Sequence, residues 1–173
     1  MIVSAFLAAA LLSGQTTLRS TPDLGKAEGR CRSPEEGPSF LVSVEGLKDR
    51  RGLIKLEVYP DNDDDFLADD NKLVAAGKVF RRVEEPVPAS GPVKLCIRVP
   101  HAGKYAVSLL HDRDSNRKFG LSTDGIGFAG NPRLGWSKPK ADAASATAGA
   151  GPTPITIVMN YRRGLFSFGP IGR

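Results

Sequence analysis

The run Val93-Lys94-Leu95-Cys96-Ile97-Arg98-Val99 alternates apolar and polar side chains without a break, and the same period of two recurs along the chain with no helical period of useful length. Successive strand residues point to opposite faces, so such a run is stable only as a half-buried strand. Phe40, Val42 and Val44 repeat the pattern. So do Ile54, Leu56 and Val58, interleaved with Lys55 and Glu57, and then Tyr105, Val107 and Leu109. Val79, Phe80 and Val83 suggest a shorter strand before Pro86 and Pro88, and Ile155 to Tyr161 reads as the last one. The stretch Gly46 to Gly52 looks like the turn of a hairpin joining the first two runs. Short strands bounded by Gly- and Pro-rich turns predict an all-β fold: an antiparallel immunoglobulin-like or transthyretin-like β-sandwich, with one long loop before the last strand.

The organisation follows from where this pattern holds. Residues 1–19 contain the apolar run Ile2 to Leu12, too short to span a bilayer and suited to a signal peptide whose cleavage position the sequence does not fix. Residues 20–38 are polar and aperiodic, expected to be flexible and ordered only near Cys31. The sandwich occupies 39–162 and a tail follows at 163–173. No later segment is long and apolar enough to span a membrane. Cys31 and Cys96 are the only cysteines, and an exported chain with an even count is expected to join them in a disulfide. The expected compartment is periplasmic or secreted.

Charge is unevenly spread. Residues 1–97 carry 13 basic and 15 acidic side chains, and residues 98–173 carry 11 basic and 4 acidic. The basic half lacks the interleaved aromatic array of a nucleic-acid surface, so no nucleic acid is expected, and the partner is an envelope ligand or protein that the sequence does not name. It assigns no oligomeric state. The acidic run Asp61, Asp63, Asp64, Asp65, Asp69 and Asp70 is expected to be a solvated loop, with Phe66 and Leu67 turned back onto the core.

The densest chemistry lies after Leu110. Asp112, Asp114 and Asn116 occupy the first, third and fifth places of a calcium-loop pattern, with the Lys118 carbonyl at the seventh. Arg117 stands at the sixth, where glycine makes the turn. Thr123 stands at the twelfth, with Asp124 one residue late. Ca²⁺ is thus a candidate cofactor, with Asp112, Asp114, Asn116, Lys118 and Asp124 as its residues. The competing reading has the same side chains bonding their own backbone in successive Asx-turns. The low-complexity stretch Ala141 to Gly151 is expected to be mobile, and Gly125, Gly127 and Gly130 to permit positive φ around Phe128. His111 beside Asp112, with Arg133 and Trp136, marks a ligand surface in the long loop. No nucleophile pairs with His111, so no catalytic residue is assigned and no enzyme is expected.

Gly103, Tyr105, His111, Asp112, Asn116, Lys118, Asp124, Gly125, Gly127, Phe128 and Asn131, with Gly46, Gly52 and Phe66 upstream, resemble an uncharacterised family of exported bacterial proteins, domain-of-unknown-function family 2141. The resemblance spans roughly residues 39 to 162 and implies an exported β-sandwich. Gly120 and Arg117 depart from it, standing where the family often has an acidic residue and a glycine. The leading expectation is a non-enzymatic binding or accessory module of the periplasm or cell envelope. A calcium-stabilised structural module built on residues 112–124 is the alternative. A small transthyretin-like hydrolase comes third, because Tyr161-Arg162-Arg163-Gly164 is loosely similar to the C-terminal tail of those enzymes.

Overall fold

The computed structural model describes residues 18–135, 137–164 and 167–171. The apolar N-terminal run and Trp136 lie outside these described residues. Ten strands form two sheets: β1 (Ser39–Glu45), β2 (Leu53–Pro60), β3 (Arg81–Pro86), β4 (Val93–Arg98), β5 (Gly103–Asp112), β6 (Gly125–Phe128), β7 (Ser145–Ala148), β8 (Pro152–Val158), β9 (Asn160–Arg162) and β10 (Phe168–Gly169). The smaller sheet runs β4-β1-β8. The larger runs β10-β9-β6-β5-β2-β3, with β7 also paired to β5. Among the described residues helix is confined to α1 (Lys26–Gly29), α2 (Asp70–Ala75) and one 3-10 turn, Asp142–Ala144. The all-β sandwich expected from the period of two is what the chain forms.

Its core lies between the sheets. Phe40, Val42, Leu95, Ile97 and Ile157 of the small sheet meet Ile54, Leu56, Val58, Val107 and Leu109 of the large one, each at most 4% exposed. Burying side chains of this size removes apolar surface worth roughly 1.5–3 kcal/mol each from water, and this burial drives the sheets together.

Three sequence readings are corrected by the pairing. β1 and β2 are not a hairpin: β1 pairs with β4 and, in parallel, with β8, whereas β2 pairs with β3 and β5. Two strands facing each other across a core show the same alternation as two strands side by side, so Gly46 to Gly52 carries the chain between sheets. The last strand is two. β8 belongs to the small sheet and β9 to the large one, the switch falling at Met159, whose N–H donates to the Glu45 carbonyl at 2.9 Å. The Ala-rich stretch forms the 3-10 turn and β7, which pairs Ser145–Ala148 with Gly103–Ala106 of β5.

β5 is buried from Tyr105 to Asp112 on both faces. A second apolar layer explains this: Tyr59, Phe66, Leu73, Phe80, Ala106, Phe128, Ala141 and Ala144 cluster on the outer side of the large sheet. Phe66 therefore plugs into the protein as expected, but Leu67, at φ 61, is turned outward and 37% exposed.

The acidic run is a clamp more than a solvated loop. Asp61 contacts Ser145 and Lys104, Asp63 receives the N–H of Ala141, Asp65 pairs with Lys78 at 2.6 Å, and Asp70 with Arg82 at 3.0 Å. Arg82 also reaches Glu57 at 2.8 Å and the Thr21 carbonyl at 3.0 Å, so the start of the segment expected to be flexible is hydrogen-bonded to the large sheet. Cys31 and Cys96 form the expected disulfide, and Arg30 bridges to Ile97 beside it, fixing this segment along the outer edge of β4.

Candidate functional site

The end of β5 positions the loop chemistry. His111 is fully buried and Asp112 is 1% exposed. Nε2–H of His111 donates to the Arg51 carbonyl at 2.8 Å, which leaves Nδ1 to accept from the Tyr161 hydroxyl at 2.6 Å. The Tyr161 oxygen in turn accepts the Lys48 N–H at 3.1 Å. Burial holds the His111 imidazole below its ordinary pKa and pushes the Tyr161 phenol up to about 12. The expectation that His111 belongs to a ligand surface is therefore corrected: its ring is enclosed and both nitrogens are occupied in tying β5 to β9 and the 46–52 link.

Asp112 leads into the loop. Its two carboxylate oxygens accept the N–H groups of Asn116 and Arg117 at 3.2 and 2.7 Å. Asp114 accepts the N–H and side-chain amide of Asn116 at 3.2 and 2.8 Å, and Asn116 Oδ1 accepts the Lys118 N–H at 2.7 Å. Arg117 takes the left-handed conformation, φ 64, at the place where glycine is usual. Asp124, 1% exposed, closes the far end by accepting from the N–H of Arg113 at 3.0 Å and of Gly120 at 2.7 Å. Arg113 spans the loop from below, bonding Asp49 through Nε at 3.0 Å and through Nη2, and the Thr123 carbonyl at 2.7 Å. The Arg113 guanidinium keeps the Asp49 carboxyl below the usual carboxylate range.

Asp112, Asp114 and Asp124 are thereby brought together, each offering one oxygen within 4.8 Å of the others. Burial raises the Asp112 pKa, the Arg117 N–H opposes that rise, and the Asp114 carboxyl adds to it. A hard divalent cation suits three such oxygens. The other two candidates fit less well. Asn116 turns its oxygen onto the Lys118 N–H, and Lys118 takes part through its own N–H.

A second feature lies beyond the loop. A cleft of about 810 Å³ opens between the loop and the β9–β10 end of the large sheet, lined by Phe119, Leu121, Ile126, Leu134 and Phe168 among others, with Arg133 and Lys138 at its walls. Phe119 and Phe168 meet edge to face at 6.2 Å. Leu67 reaches the same space. Of the described residues read as a ligand surface, Arg133 lines this cleft and His111 does not; Trp136 lies outside the described residues. Leu67, Phe119, Leu121 and Lys138 were missed, and the available signal was two bulky apolar residues, Phe119 and Leu121, in a loop otherwise polar.

The Gly125-x-Gly127-Phe128 segment joins the two features by packing. A Cβ on Gly125 would lie 2.3 Å from the Tyr161 ring, and one on Gly127 would lie 2.6 Å from Ile157. These glycines serve close approach; of the three expected at positive φ, only Gly130 is there, at 71°.

The fold and this loop define an all-β sandwich domain with a carboxylate-braced loop at one end. The family model for an uncharacterized protein conserved in bacteria, DUF2141, matches residues 42–156, and the chain belongs to that family. No curated protein and no solved structure matches it.

Proposed function

We propose that the chain is an exported, non-enzymatic binding module of the bacterial periplasm or cell envelope, and that its ligand enters the cleft between the 113–124 loop and β9–β10. One observation carries this reading. Among the described residues six large apolar side chains are markedly exposed, and three of them, Leu67, Phe119 and Leu121, converge on this one cleft. Contiguous exposed apolar surface costs free energy in water and marks interaction sites, and about 810 Å³ lies within the roughly 300–1,000 Å³ usual for ligand pockets. Export is supported by the signal-like N-terminal run and the disulfide. The enclosed, doubly bonded His111 supports a structural role for the one histidine beside the loop.

The test is titration of the oxidised full-length chain with the neutral apolar dye Nile red. Saturable one-to-one binding is expected, lost in Leu121→Asp and Phe119→Asp while the circular dichroism spectrum is kept, because both side chains are already exposed. Dye binding that ignores both substitutions would remove the cleft from consideration.

A second reading, a calcium-stabilised structural module, is favoured by the convergence of Asp112, Asp114 and Asp124. It concerns the carboxylates of the loop and not the apolar side chains that line the cleft, so the two are tested by different substitutions.

A further inference from the structure

We infer that the cleft takes an anionic amphiphile: a single alkyl chain lying on its apolar floor, with an anionic head held by Arg133 and Lys138. This rests on the cleft being the binding site.

The floor supplies the first half of the inference. Phe119, Leu121 and Phe168 present carbon, and the buried Asn160 amide beside them already donates to the Ile126 and Val158 carbonyls, so what the floor rewards is apolar area removed from water. The walls supply the second. Among the described lining residues there is no carboxylate, whereas Arg133 and Lys138 bring two cationic side chains to the same opening. Lys104 pairs with Asp61 and Asp142, Arg113 with Asp49, and Lys140 with Asp63. Lys138 instead donates to two carbonyls, of Asp63 at 3.0 Å and Phe66 at 2.7 Å, which positions its ammonium without cancelling its charge. Arg133 is exposed at the rim. A cleft with a low-dielectric floor and one sign of charge at its mouth focuses that field on whatever enters. An apolar chain with a negative end satisfies both parts at once. A neutral chain uses the floor only, and a cationic one is repelled.

The same chemistry is offered by a fatty-acid carboxylate and by a monoalkyl phosphate head, and the experiment separates them. Calorimetric titration of the oxidised full-length chain would compare dodecanoate, dodecyl phosphate, dodecyl maltoside and dodecyltrimethylammonium below their micellar concentrations, with octanoate and decanoate as shorter carboxylates. The expected result is anion preference on the order of tenfold over the maltoside, weakening with added salt. Affinity should gain about fourfold per methylene from eight to twelve carbons. Arg133→Glu should lose the anion preference while keeping maltoside binding, and Arg133→Lys should retain it. Tighter binding of dodecyl phosphate than of dodecanoate assigns a phosphate head, and the reverse assigns a carboxylate. Equal affinity for the anionic, neutral and cationic amphiphiles would overturn this inference and leave the cleft standing as a binding site. No saturable binding of any of them would overturn both.

Discussion

The Tyr161 hydroxyl lies 2.6 Å from Nδ1 of His111, and through this contact β9 grips the buried end of β5. The oxygen accepts from Lys48 while its proton goes to His111, so one hydroxyl satisfies groups on two elements. Tyr161→Phe keeps the ring and removes both bonds. Lys48 is exposed and its N–H can turn to water, but Nδ1 of a fully buried imidazole is left without a partner. The expected cost is about 1–3 kcal/mol, read from urea unfolding at unchanged m-value. An unchanged midpoint would mean the bond contributes nothing net.

His111 also sets a pH dependence whose sign follows from its burial. Its folded pKa lies below the ordinary value of 6.5, so the unfolded chain takes up the proton first as pH falls. In that window the unfolded state binds more protons, and stability rises with pH. Stability from this group is therefore complete above about pH 7 and is lost as pH falls through 6.5 towards the folded pKa. The nearby Asp49 carboxylate, 3.9 Å from Nε2, opposes this, but burial is the larger influence. Unfolding free energies measured between pH 5 and 8 in the parent and in His111→Gln should diverge in slope on the acid side. Parallel curves would show that the imidazole titrates alike in both states.

Gly125 packs face on against the Tyr161 ring, and a Cβ there would sit 2.3 Å from a ring carbon. The ring is 2% exposed and anchored at its hydroxyl, so it cannot swing aside. Gly125→Ala is expected to destabilise by about 1–3 kcal/mol through overpacking, seen as a melting temperature several degrees lower. Gly149→Ala is the control, since a Cβ there comes no nearer than 3.5 Å to another atom, an ordinary van der Waals contact.

Much of this architecture was legible because strand burial writes itself into a period of two: Val93 to Val99, Ile54 to Val58 and Phe40 to Val44 all hold the strands they announced. Which strand pairs with which was not legible, since Phe40 and Ile54 alternate alike whether they sit side by side or face each other across a core. The outer layer was hidden for a different reason. Tyr59 and Ala106 come from strands, but Leu73, Ala141 and Ala144 come from short aperiodic segments in which no pattern forms. At the site, the carboxylate pair at Asp112 and Asp114 was readable from spacing. That Asp124 completes it depends on Gly120 to Asp124 curling back, seen in the Asp124 N–H donating to the Gly120 carbonyl at 2.8 Å. The cleft joins Leu67, Phe119 and Phe168, about a hundred residues apart along the chain, and only the fold brings them together.

Calcium is the remaining question for the loop, and Asp114 is the residue that answers it. Asp112 and Asp124 each accept two backbone N–H groups, so changing them disturbs the loop whether or not an ion is bound. Asp114 is exposed and accepts from the N–H and side-chain amide of Asn116, and its carboxyl adds to the rise in the Asp112 pKa that burial causes. Without an ion, Asp114→Asn should leave the melting temperature unchanged or slightly higher. With an ion held between the three carboxylates, the parent gains about 2.7 kcal/mol at a free concentration one hundred times Kd. For a chain of this length that corresponds to roughly 5–10 °C. Melting both proteins in millimolar Ca²⁺ and in excess chelator separates the readings. A rise in the parent that Asp114→Asn removes establishes the metal site. The same melting temperature in both buffers leaves the loop as a turn braced by its own backbone, because the hydrogen bonds already present at Asp112 and Asp124 suffice to hold it.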